Sequence, residues 1–177
     1  RTAEALVRQQ YRDFQGREAT TSEVASSAPS LAAGSITAAA LVDRVAHLGT
    51  GAERTANITR LYTAYFLRLP DAGGLDYWVS RSARGWTLHR ISANFAGSSE
   101  FLRTYGTLTN AGFVDRAFQN VFGRAADPSG RAYWTAKLDR GTSRGVVMVG
   151  FSQSDEYRRK QGPTTEAVLA YRGLLRR

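Results

Sequence analysis

Two histidines, His47 and His89, and no cysteine are what this 177-residue chain brings to metal or nucleophilic chemistry. Without cysteine there is no disulfide, no thiolate nucleophile and no Cys-based metal site. The acid pairs Asp71 with Glu100 and Asp127 with Glu156 are the conceivable general acid–base sets. Trp78 and Trp134, each preceded by a tyrosine (Tyr77, Tyr133), could stack on sugar rings, and Trp86 follows a glycine with no counterpart elsewhere. Arg68 and Arg124 could grip a carboxylate or phosphate through two parallel hydrogen bonds. Acid–base catalysis, sugar stacking and anion binding are therefore the chemistries to weigh.

These residues recur at one fixed interval. Arg60, Phe66, Arg68, Asp71, Gly74, Tyr77 and Trp78 return 56 positions later as Arg116, Phe122, Arg124, Asp127, Gly130, Tyr133 and Trp134. Arg84-Gly85 returns as Arg140-Gly141, and Phe95, Ser98, Glu100, Arg103 and Gly106 return as Phe151, Ser154, Glu156, Arg159 and Gly162. Chance would align roughly three such pairs over this span, so the chain is internally duplicated. Tyr62 and Arg68 are six apart, as are Phe118 and Arg124, Tyr11 and Arg17, and Tyr171 and Arg177. A degenerate copy thus precedes the two clear ones, and the opening helix of another, or a C-terminal cap, follows them.

The elements carrying these residues read as helices. Ile58, Leu61, Tyr62, Tyr65 and Phe66 fall at helical spacing, and Val114, Ala117, Phe118, Val121 and Phe122 repeat the stripe. Arg60, Thr63, Arg116 and Gln119 are expected on the opposite, polar face. Asp71 and Asp127 suit helix N-caps, with Pro128 at the favoured first helical position. In the degenerate copy Thr20 replaces that Asp and forms a capping box with Glu23. One capping residue exchanged for another points to capping over metal binding. One Asp and a few carbonyls also fall short of the six to eight oxygens calcium takes. Gly85 and Gly141 should stop the second helices, and Ser98 and Ser154 should cap the fourth. Trp86, just beyond such a stop, is expected to be exposed.

The expected fold is all-α: a tandem repeat of roughly 50-residue four-helix copies packed into one continuous array. Its parts are residues 1–55 (degenerate), 56–106, 107–162, and 163–177. An enzyme is not expected. His89 aligns with Gly145, so it has no repeated role, and no phosphate loop, zinc helix, dinucleotide fingerprint or nucleophile elbow occurs. No metal or cofactor is implied. Arg68 and Arg124 are expected to pair with Asp71 or Glu100, and with Asp127 or Glu156.

Net charge is +9, and lysine occurs only at Lys137 and Lys160, so arginine carries the basicity. A basic surface favours anionic partners. The arginines are scattered, apart from Arg158-Arg-Lys160 and Arg176-Arg177, and no nucleic-acid motif accompanies them, which argues against nucleic acid. No apolar run is long enough for membrane insertion. The start at Arg1 reads as a chain processed or excised from something longer.

The run Arg68-x-x-Asp71-x-x-Gly74-x-x-Tyr77-Trp78, then Gly85, then Phe95-x-x-Ser98-x-Glu100-Phe101 resembles the domain of unknown function 4214 family. The second copy matches with Tyr157 in place of the final Phe, so the resemblance spans roughly residues 56–162. Residues 1–50 lack the Trp, the Asp and the loop Gly. The resemblance implies an accessory module of a large exported bacterial protein, extracellular or at the cell surface, with no established reaction. On that footing Trp86, Tyr77, Trp78, Tyr133, Trp134, Arg68 and Arg124 are the candidate contacts for a surface glycan or anionic polymer. Neighbouring domains of the same protein are the other expected partners.

Overall fold

A computed structural model describes residues 2–46, 48 and 51–174, the Leu174 side chain excepted. His47, Arg176 and Arg177 lie outside the described residues. Among those described there are eleven α-helices, two π-helical turns and no strand. The degenerate copy holds α1 (Ala3–Gln10), α2 (Thr21–Ala32) and α3 (Ala38–Ala46). Then come α4 (Gly51–Phe66), α5 (Ala72–Ala83), α6 (Leu88–Ala96) and α7 (Ser99–Tyr105). The second clear copy holds α8 (Asn110–Ala117), α9 (Pro128–Asp139) and α10 (Arg144–Ser152), and α11 (Asp155–Leu174) follows. Residues 55–56 fall inside α4 and residues 162–163 inside α11, so two of the expected copy boundaries lie within continuous helices.

Side chains set the helix starts. Thr20, Thr87, Ser98, Thr109, Asp127 and Ser143 each accept the amide three residues on. Each satisfies a donor that the first helical turn leaves open. Gly85 and Gly141, both at φ +91°, lie just past the ends of α5 and α9 in a conformation that side chains resist.

The described residues form two compact units. The first draws on Arg1–Ala56, Ala72–Gly85 and Pro163–Arg177. There α1 packs on α2 and α3 around Val7, Tyr11, Phe14, Val24, Leu41 and Val45. The C-terminal end of α11 is fastened to α1: Gln10 Nε2 donates to the Gly173 carbonyl at 2.9 Å. A Cβ on Gly173 would come within 2.3 Å of Val42 Cγ1, so this approach requires glycine.

The second unit draws on Asn57–Asp71 and Trp86–Gly162. Here α6 packs on α10, its equivalent 56 residues on. Tyr65 Oη lies 2.7 Å from Ser92 Oγ, which donates to the Gly145 carbonyl at 2.7 Å. Tyr65 also meets Phe95 and Phe101 at ring-centroid distances of 5.3 and 5.1 Å. The stripe Ile58, Leu61, Tyr62 and Tyr65 is buried as its spacing predicts. The polar face is not solvent-facing throughout. Arg116 and Gln119 are exposed, but Arg60 and Thr63 are buried. Arg60 donates to Gln153 and Asn57, and Thr63 donates to the Thr59 carbonyl and meets the Tyr157 hydroxyl. Polar side chains can be buried there because partners from α11 and its approach satisfy them.

Each opening helix ends on one left-handed residue. Gly16 (φ +68°), Leu67 (φ +55°) and Gly123 (φ +76°) hold equivalent places, one before the loop arginine. Leu67 is the odd member. A leucine there bears a backbone cost of about 1–2 kcal/mol, and its side chain is half exposed and returns little burial. Leu67→Gly is expected to raise stability by about 0.5–1 kcal/mol, after glycine's extra unfolded-state entropy is subtracted. Gly123→Ala should lower it by about 1 kcal/mol. Urea midpoints of the two variants check both signs.

Candidate functional site

The loop arginine after each left-handed residue makes the same three kinds of contact. It lies over the aromatic ring six residues earlier: Arg17 over Tyr11 at 5.1 Å, Arg68 over Tyr62 at 5.2 Å, and Arg124 over Phe118 at 5.4 Å. Its Nη1 donates to the carbonyl of the following residue, Glu18, Leu69 or Ala125. Its guanidinium also forks onto a glutamate. Arg68 grips Glu100 at 2.8 and 3.1 Å, Arg124 grips Glu156 at 2.9 and 2.8 Å, and Arg17 grips Glu23 at 2.9 and 2.7 Å. Of the acids open to Arg68 and Arg124, the structure selects Glu100 and Glu156. The Arg17–Glu23 pair was not anticipated, although the same six-residue aromatic–arginine spacing signals it. Glu23 also accepts the Thr20 amide in the capping box, so one carboxylate does both jobs.

The cap residues occupy their expected places. Asp127 accepts the Gly130 amide at 2.8 Å and the Ser129 hydroxyl at 2.6 Å. A Cβ on Gly130 would lie 2.9 Å from the Asp127 carboxylate and 3.3 Å from Phe118, which explains the loop glycine. Asp71 immediately precedes α5, and Gly74 lies in that helix's first turn. Ser98 and Ser154 accept the Phe101 and Tyr157 amides and donate to the carbonyls of Phe95 and Phe151. Arginine, Asp-x-x-Gly loop, Tyr-Trp pair, Ser cap and clamp glutamate thus come in one order through the second copy. Residues 92–161 match the DUF4214 family, a domain of unknown function. No curated protein and no solved structure matches the chain. The DUF4214 segment opens inside α6 and closes inside α11, a narrower span than the resemblance covered.

Within the DUF4214 segment the Tyr-Trp pair divides its labour. Trp134 packs edge-on against Phe151 at 5.2 Å, and Gly150 makes way for its ring, since a Cβ there would sit 2.7 Å from it. Tyr133 is half exposed, with Lys137 Nζ 4.7 Å from its ring centre. In the first unit Tyr77 is likewise half exposed, with Arg81 over its ring at 4.8 Å, and Trp78 is half-buried. Trp86 departs from the expected exposure: it is half-buried, and Arg90 lies over it at 3.8 Å. Trp86 stands just before the Thr87 cap of α6 and Arg90 lies in that helix's first turn, so the chain's entry into the helix brings the cation onto the ring. His89 is exposed. Glu100 and Glu156 are held by arginines, and Asp127 caps a helix.

The clamps set the electrostatics. Glu23 is held far below the usual carboxylate range, at about 2, by the Arg17 guanidinium and then the Thr20 amide. Arg124 lowers Glu156, Arg131 lowers Asp115, and the Ser129 hydroxyl with the Gly130 amide lowers Asp127. A carboxylate depressed in the folded state contributes stability above its unfolded value, and that contribution fades as pH falls through the folded value. The chain is therefore expected to be destabilised progressively from its ordinary glutamate value of 4.5 down to about 2. The pairs are solvent-exposed, so high salt should flatten the profile. Thermal midpoints across that pH range, with and without added salt, test this.

Proposed function

We propose that this chain is a non-catalytic accessory module of a secreted or cell-surface bacterial protein that binds an anionic surface glycan or a similar anionic polymer. The carrying observation is the recurrence of an aromatic ring with a cation four residues on: Tyr77 with Arg81, Trp86 with Arg90, and Tyr133 with Lys137. A ring faced by a cation is a poor platform for a neutral sugar, because the cation already covers it. The same pair suits an acidic sugar, whose carboxylate or sulfate pairs with the cation held over the ring. The chain's excess positive charge adds long-range attraction. Arg68 and Arg124 act through their glutamates, positioning the loops that precede these helices. The supporting scaffold is read as tandem four-helix copies, with the Asp-x-x-Gly loop starting the second helix of each clear one.

A second reading, a spacer or assembly module contacting neighbouring domains, is favoured by Leu67, Leu69 and Leu102. All three are about half exposed in the second unit. Nucleic-acid binding has only the net charge in its favour. No helix among the described residues is long and apolar enough to cross a membrane.

Titration with polygalacturonate, dextran and duplex DNA, monitored by tryptophan fluorescence, separates these readings. The expected result is saturable binding of polygalacturonate that weakens with salt, with little response to dextran. Trp86→Ala and Arg90→Ala should each weaken it about tenfold, the size expected for one charge-assisted or stacking contact. Absence of saturation at millimolar uronate, or tighter binding of DNA, defeats the proposal.

A further inference from the structure

The first compact unit contains a cleft of about 410 Å³, bordered by one clamp arginine, Arg17, and otherwise by residues outside the repeated motif apart from Gly16. Three parts of the chain line it: the turn after α1, the face of α5 that carries Asp76, Val79 and Ser80, and the end of α11. Its charged lining is Arg12, Arg17 and Arg172 against Asp13, Glu18 and Asp76. On a chain of net charge +9 this is a balanced surface. The charges are also mutually engaged. Arg12 pairs with Glu18 at 3.1 Å, Arg172 pairs with Asp76 at 3.3 Å, and Arg17 forks onto Glu23.

Arg172 is the anchor. It is 6% exposed, its Nη1 lies 3.4 Å from the Thr55 hydroxyl, and its Nε is a buried donor with no hydrogen-bond partner. Burial lowers its guanidinium to about 10, with Asp13 acting the other way, so it stays cationic at neutral pH. Asp13 is buried too, and Gln9 Nε2 donates to it at 2.8 Å. These groups are held in place before any ligand arrives, which limits the entropy lost on binding.

We propose that this cleft binds a neutral, polyhydroxylated ligand, one or two sugar rings in size. The volume lies within the range of small-molecule pockets. A ligand charge set against Asp76 or the Arg172 Nη2 would compete with their ion pair, and disrupting that pair leaves a largely buried charge uncompensated. A hydroxyl donates and accepts at once, so neighbouring hydroxyls can donate to Asp76 or Glu18 while accepting from Arg172 or Arg12. The pairs then stay intact and gain charge-assisted hydrogen bonds. No cation-covered aromatic lines the cleft, and the proposal stands or falls independently of the anionic-polymer reading.

The test is a titration of the isotope-labelled chain with N-acetylglucosamine and with maltose, with acetate and methylammonium as charged comparators, read by NMR. The expected result is a saturable shift of the Val79 and Ser80 amides and the Arg172 Nε–H with at least one sugar. Asp76→Asn should weaken that response about tenfold, the loss of one hydrogen bond to a charged acceptor. Ser80→Trp should abolish it by filling the cleft, and Trp86→Ala should leave it unchanged. Circular dichroism establishes that each variant folds; if Ser80→Trp does not, Asp76→Asn decides. No saturable response to either sugar overturns the proposal. So does saturation by acetate or methylammonium alone, or a sugar response that Asp76→Asn leaves untouched.

Discussion

The left-handed turn that ends each opening helix governs the course of the loop behind it. A helix that stops on a residue at positive φ leaves carbonyls exposed and a chain direction to be held. At all three places an arginine holds it, stacked over the ring six residues earlier and forked onto a glutamate from another helix. The ring shields one face of the guanidinium, the carboxylate orients it, and the next backbone carbonyl takes a spare N–H. An isolated surface ion pair contributes little. Here the pair is one side of a larger clamp, and the loop that starts the next helix is built on it.

That arrangement engages most of the conspicuous residue types in contacts within the protein. The glutamates that could have served as acids are bound bidentately, and Asp127 is occupied by a backbone amide and a hydroxyl. The tryptophan of the second copy faces Phe151, while its tyrosine neighbour faces water. Adjacent residues on a helix point about 100° apart, so a Tyr-Trp dipeptide can give one ring to the core and one to the surface. What is left outside is a set of cation-faced rings and a charge-balanced cleft, the two places at which binding is proposed.

Much of this was legible in the residues themselves. The all-helical class came from the stripe Ile58, Leu61, Tyr62, Tyr65. The caps at Ser98, Asp127 and Thr20 came from residue type and from the one-for-one exchange of Thr for Asp. Glu100 and Glu156 were among the partners foreseen for the arginines. Other features were hidden for physical reasons. Arg60 and Thr63 look like solvent-facing residues until Gln153 and Tyr157 arrive from some 90 positions away, because periodicity reports one helix's own faces and not what lands on them. Trp86 reads as exposed because its cover, Arg90, lies beyond the cap of the next helix, where no periodicity relates the two. The Arg172–Asp76 pair joins parts of the sequence with no shared motif, so nothing local announced it.

The bond from Gln10 to Gly173 spans 163 residues, and it bears on how the polypeptide is made. Helices emerge from the ribosome in order, and neighbours can pair early. The first unit cannot close that way. Its opening helix waits, with Phe14 and Val42 uncovered where Gly173 will later press, until almost all of the described chain has been synthesised. Truncation near the carboxyl end would therefore strike the core built from the amino end, far from the cut in sequence.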